Sequence, residues 1–116
     1  MGTNGLTANE YQFGASVTAL YPGRGTAQGL VYTILGLAGE AGEVANQVKK
    51  ILRDDDGVLT DERKAKLVDE MSDVCWYAAM ACDELGVDLG DVMTANLSKL
   101  ASRAERGTIQ GSGDGR

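Results

Sequence analysis

A chain of 116 residues with 43% apolar content has room for one modest core, and its lack of histidine excludes Cys/His zinc sites, Ser/His/Asp triads and Glu-x-x-His di-iron motifs. Its net charge of −6 argues against a broad nucleic-acid surface, which needs an excess of Lys and Arg over one face. With one proline and 5% aromatic residues among many alanines and leucines, the composition predicts an all-α fold.

In chain order, Thr7-Ala-Asn-Glu10 has the form of a capping box, which predicts a first helix from Ala8 to Leu20, closed by Tyr21-Pro22-Gly23. Leu30, Ile34, Leu37, Ala41, Val44, Val48 and Ile51 recur at steps of three and four and predict a long second helix from Ala27 to Arg53. Asp54-Asp55-Asp56-Gly57 breaks it; this run lacks the alternating spacing and distal glutamate of a calcium loop. Thr60 is placed to cap a third helix running to Leu85, where Gly86 stops it, and Asp88 to cap a fourth ending near Arg106. Residues 1–106 read as one helical domain and 107–116 as a glycine-rich tail. Cys75 and Cys82 lie about 10 Å apart along a helix, too far to bridge, and read as free thiols. No run of 18 apolar residues and no signal-like start is present, so a cytoplasmic protein without a membrane span is expected.

Glu40 and Glu43 are three apart on the second helix, and Glu70 and Asp73 three apart on the third, so each pair shares a face at the edge of its apolar stripe. Taken singly, such motifs are common on surface helices. About ten residues separate Glu43 from the end of its helix and about nine separate Glu70 from the start of the next, so antiparallel packing levels the two pairs. Four converging carboxylates need a counter-charge, and a hard divalent cation such as magnesium takes oxygen ligands. Asn96, Lys99 and Arg103 form a polar stripe on the fourth helix, and Lys50 follows Glu43 by two turns; these are the candidates to meet phosphate.

Glu40-Ala-Gly-Glu43 and Glu70-Met-Ser-Asp73, within LGLAGEAGEVANQVKK and LVDEMSDVCWYAAMACDELGVDLGDVM and followed by NLSKLASRAERGTIQGSGD, closely resemble the MazG-like family of all-α nucleotide pyrophosphohydrolases, in its compact bacterial and phage form. The resemblance runs from Glu10 to the C-terminus. It implies a four-helix fold completed by association of subunits into a homodimer or homotetramer. It also implies hydrolysis of nucleoside triphosphates, dNTPs or aberrant NTPs, to monophosphate and pyrophosphate. The metal ligands carried over are Glu40, Glu43, Glu70 and Asp73, holding Mg2+ with Mn2+ as a substitute. Glu43 or Glu40 is then the candidate proton acceptor, and Tyr77, Asn96, Lys99, Arg103 and Lys50 the candidate substrate contacts. The matching tail, Arg106 to Gly113, is expected to fold over the substrate. A dUTP- or dCTP-type diphosphatase shares the acidic pattern, and a non-catalytic dimeric interaction module is the alternative of another class.

Trp76 is predicted about 180° around the third helix from Leu67, Val74, Ala78 and Leu85, exposed in a monomer, with contact to a partner subunit favoured over base stacking. Gly36, Gly39 and Gly42 each cost about 1 kcal/mol in a helix and suggest close helix packing near the acids. Tyr11, Phe13 and Tyr21 could contact a base, but core or interface packing is the expected role.

Overall fold

The computed structural model describes residues 5–115, so positions 1–4 of the predicted helical domain and Arg116 of the predicted tail lie outside the described residues. Four helices, α1 (Ala8–Ser16), α2 (Ala27–Asp54), α3 (Asp61–Leu85) and α4 (Leu89–Glu105), make up the fold. No strand occurs among the described residues.

Thr7 and Glu10 close the capping box reciprocally, with Thr7 Oγ1 accepting from the Glu10 amide at 3.0 Å and Glu10 Oε1 from the Thr7 amide at 2.9 Å. The helix ends at Ser16 and not at Leu20 as predicted. The Ser16 and Thr18 hydroxyls bond back to the Phe13 and Ala15 carbonyls, and the chain leaves through three-residue turns. Tertiary packing rewards that exit, because it carries Ala19 and Tyr21 into the core. There the Tyr21 ring stacks on Tyr32 at 5.2 Å and meets the edge of Trp76 at 6.2 Å. Its hydroxyl donates to Glu84, which also accepts from the Gly25 amide, while Arg24 pairs with Asp83 at 3.0 Å.

Those contacts correct the reading of Trp76. It is half-buried against the core, its Nε1 donating to Thr18 at 3.3 Å, because the 17–26 segment folds over that side of α3. The buried side of α3 is accordingly Ala79, Met80, Ala81 and Cys82, and Leu85, predicted to be covered, is exposed.

α2 and α3 form an antiparallel hairpin that contributes most of the interhelical packing. Asp56 and Gly57 turn the loop with φ of 55° and 77°, Thr60 caps α3 by accepting from the Arg63 amide, and Arg63 grips Asp55 at 2.8 Å. Gly86, at φ 72°, terminates α3 in the left-handed conformation that glycine adopts at no steric cost.

α4 begins as predicted, but the Asp88 side chain does not cap it. The first amides of the helix, those of Leu89 and Gly90, are instead satisfied from α1, by Gln12 Oε1 and Asn9 Oδ1, each at 2.8 Å. Gln12, buried, turns its amide nitrogen to Asp83 and the Val87 carbonyl, so one side chain ties α1 to both α3 and α4. Beyond this clamp α4 leans on α1 and has next to no packing on α2 or α3. Between α1, α3 and the start of α4 runs an apolar groove of about 460 Å³, lined by Leu6, Tyr11, Val74, Ala78, Leu89 and Met93 among others.

The core is consequently small, with Met80 its largest fully buried hydrophobic side chain. Phe13, Val17 and Leu20 on and after α1, and Leu35, Leu52 and Leu97 elsewhere, are among many apolar side chains left largely exposed. The radius of gyration is 17.0 Å, where a compact chain of this length has about 13 Å.

Candidate metal centre

The antiparallel register can be followed through three close approaches: Gly29 meets Glu84, Gly36 meets Tyr77, and Glu40 comes beside Glu70 and Asp73. Each step forward along α2 is matched by an equal step back along α3. The matched arms therefore bring the acidic motifs level.

Carboxylate oxygens of Glu40, Glu70 and Asp73 lie within 4.8 Å of one another. Among the described residues none of the ion pairs involves these three or Glu43. Glu40 carries the electrostatic consequence. Its carboxyl is pushed above the usual carboxylate range, first by a shared hydrogen bond with Glu70, then by desolvation and by the charges of Asp73, Glu70 and Glu43. A set of hard oxygen donors, crowded and lacking a cationic side chain, fits a divalent cation. Glu43 stands apart: it is exposed, outside the tight cluster, yet close enough for its charge to reach Glu40.

The sign of the Glu40 shift gives a testable pH dependence. A raised folded-state pKa favours the protonated fold, so this stabilisation is complete below the unfolded pKa and is lost as pH rises through the raised value. Asp54 and Asp114, lowered by Arg53 and by Arg103 with Lys99 respectively, act oppositely, and their contribution is lost only as pH falls through their lowered values. In chelator, the thermal midpoint should rise as pH is lowered from neutrality through the raised Glu40 value, and magnesium should raise it more at the higher pH. A midpoint that falls over that interval would mean the carboxylates do not repel one another in the fold.

Comparison with known proteins shows the family of the chain. A model of the MazG nucleotide pyrophosphohydrolase domain matches residues 28–108, which span α2, α3 and α4. The chain belongs to the MazG nucleotide pyrophosphohydrolase family. It is 55% identical over 109 residues to the Gene 37 protein of Mycobacterium phage L5, covering 91% of this chain and 96% of the phage protein. It is also 41% identical over 71 residues to the uncharacterized protein YvdC of Bacillus subtilis (strain 168), covering 57% and 67% respectively. No solved structure matches it.

Within this MazG domain Tyr77 lies on α3, one turn beyond Asp73. Its half-buried ring packs against Gly36 and meets the edge of Trp76 at 5.1 Å. Its hydroxyl is pushed above the usual phenol range by desolvation first, then by Tyr32 and by the charges of Glu40 and Asp73. Tyr32, which bonds Tyr77 and stacks on Tyr21, was not singled out from sequence. The signal was there, because Tyr32, Gly36, Glu40 and Glu43 recur at steps of four, four and three along one stripe of α2. Tyr11, on α1, also feels the charge of Asp73 and packs on the core, in line with its expected packing role. Phe13 stands 75% exposed and takes no part in the core.

Gly36 is the glycine of the predicted three that close packing needs. Around Gly39 and Gly42 a methyl group would meet nothing within 4 Å. Lys50 sits near the loop end of α2, where its charge acts on Asp54. Asn96 is exposed, and Lys99 and Arg103 are engaged by the tail, both pairing with Asp114. No hydrogen bond or ion pair among the described residues joins these three to the acidic cluster. None of the helices is long and apolar enough to cross a membrane, among the described residues.

Proposed function

We propose that this MazG protein is a cytoplasmic enzyme hydrolysing nucleoside triphosphates, dNTPs or aberrant NTPs, to the monophosphate and pyrophosphate. The convergence of Glu40, Glu70 and Asp73 within 4.8 Å, inside the matched family domain, carries the reading. Glu40, Glu70 and Asp73 would hold Mg2+, or Mn2+ in its place, with Glu43 completing the ligand set or receiving a proton. When bound, the ion supplies positive charge to the phosphate oxygens and acidifies water.

The chain's own groups do the rest. Glu43, exposed and outside the crowded trio, is the carboxylate free to accept the proton of the attacking water. The Tyr77 hydroxyl, near enough to feel the charges of Glu40 and Asp73, would orient the nucleotide. Lys99 and Arg103 would stabilise the charge developing on pyrophosphate, and Asn96 and Lys50 would meet phosphate or sugar.

Association into a homodimer or homotetramer belongs to the same reading. The chain exposes 7725 Å², whereas a compact monomer of this mass exposes about 6,100 Å². The excess, roughly 1,600 Å², is what one subunit contributes to an obligate interface. The exposed apolar side chains of α1 and α2 supply its chemistry.

The test is incubation with magnesium and a panel of canonical and modified NTPs and dNTPs, dUTP and dCTP included, with the products resolved. Monophosphate with pyrophosphate is the expected outcome. Turnover of no triphosphate would leave the chain an interaction module.

A further inference from the structure

The two cations on α4 that the functional reading assigns to phosphate are already occupied, by a segment of the same chain. After α4 the tail turns back through Gly107, Gly111 and Gly113, with φ of 70°, 132° and 83°, conformations that glycine alone adopts freely. The Thr108 amide donates to the Arg103 carbonyl at 2.8 Å and fastens the base of the tail to the helix. Asp114 then returns over the last two turns of α4. Its Oδ1 accepts from Arg103 Nη2 at 3.0 Å and from Lys99 Nζ at 3.3 Å, and its backbone carbonyl accepts from the same Nη2 at 2.9 Å.

The fit is incomplete on one side. Arg103 is 3% exposed, and its Nε is buried without a hydrogen-bond partner. Nε and Nη2 lie on one edge of the guanidinium and together form a fork suited to two oxygens of one anion. Asp114 fills one prong of that fork. A phosphate group, with oxygens to spare, fills both and still reaches Lys99. The asymmetry favours exchange, because Asp114 is itself 85% exposed and is rehydrated at little cost once released.

We propose that the tail is a latch: Asp114 holds the place of an oxyanion on Lys99 and Arg103, and the polyphosphate of an arriving ligand displaces it. The proposal rests on the reading of Lys99 and Arg103 as phosphate contacts, and it adds the regulation of that site. An empty enzyme then keeps its cations paired, and filling the site frees the tail, the reverse of the closure over substrate that the resemblance implies.

Inorganic pyrophosphate is the probe, titrated calorimetrically into the full chain without divalent cation, for wild type and Asp114→Asn. The variant should bind about three- to tenfold more tightly, the range set by removing a competing charge-assisted contact. Trypsin cleavage after Arg106, followed by mass spectrometry, reads the tail itself. Saturating pyrophosphate should speed it in wild type to the rate that Asp114→Asn shows without ligand. Adding Arg103→Gln to Asp114→Asn should abolish the gain in affinity. Equal affinities, slower cleavage with pyrophosphate, or a gain that survives loss of Arg103 would each overturn the latch. If wild type turns over no triphosphate, the functional reading fails while the pyrophosphate affinities still decide the latch. Equal affinities with intact turnover defeat the latch alone.

Discussion

Glu40→Gln should lower turnover by about two to three orders of magnitude, equivalent to some 3–4 kcal/mol of lost transition-state stabilisation. Glutamine keeps the size of the side chain and removes the charge at the centre of the crowded trio. The metal-free variant should therefore be at least as stable as wild type, since Glu40 is the carboxyl that its neighbours push upward. Magnesium should raise the melting midpoint of wild type and leave the variant nearly unmoved. Glu43→Gln separates ligand from base: with Glu43 outside the trio, that variant should keep most of the magnesium-dependent shift and still lose turnover. Near wild-type turnover in Glu40→Gln at saturating magnesium would remove the site assignment altogether.

Gly36→Ala should destabilise the fold by about 1–2 kcal/mol, although alanine is the better helix former by about 1 kcal/mol. The added methyl would sit 2.5 Å from Tyr77 Cζ and closer still to Cε1, and the ring is held by its edge contact with Trp76 and its hydrogen bond with Tyr32. Steric overlap outweighs propensity there. At Gly39 and Gly42, where nothing lies within 4 Å, the same substitution should stabilise an isolated chain by about 0.5–1 kcal/mol. Midpoints from thermal melts of the three variants test the contrast. A Gly36→Ala midpoint at or above wild type would show that the Tyr77 ring yields freely. Since Tyr77 stands beside Glu40 and Asp73, Gly36→Ala should also reduce turnover while Gly39→Ala leaves it intact.

What could be read from the sequence follows the range of the forces involved. The capping box at Thr7, the Thr60 cap, the Gly86 stop and the long periodic run of α2 are local effects, and each stands where the sequence placed it. Levelling of the acidic motifs was legible too, because helix rise and arm length are enough to compute it. Tertiary choices were not. Leu20 precedes the first strong breaker, Tyr21-Pro22-Gly23, yet α1 stops at Ser16 because burying Tyr21 against Tyr32 and Trp76 gains more than another turn would. The same fold-over moved the covered side of α3 to Met80 and drew Trp76 inward. Asp88 had the residue type of a cap but lost that role to Gln12 and Asn9, which are distant in sequence and adjacent in space. No helical wheel could have paired Arg103 with Asp114 either, since that contact depends on positive φ at three glycines.

The register of the α2–α3 hairpin has a last consequence, for how such a protein can change over time. Glu40 and Asp73 are held by two helices joined through one short loop, so the parts that fix the carboxylates are neighbours along the chain as well as in space. α1 and α4 reach that hairpin mainly through the Gln12 clamp, the Tyr21 fold-over and the walls of an apolar groove. Substitutions on their free faces can therefore change the surroundings of the hairpin without shifting the carboxylate oxygens proposed to hold the metal. The architecture separates the part that must stay constant for the reaction from the parts at liberty to acquire a new preference.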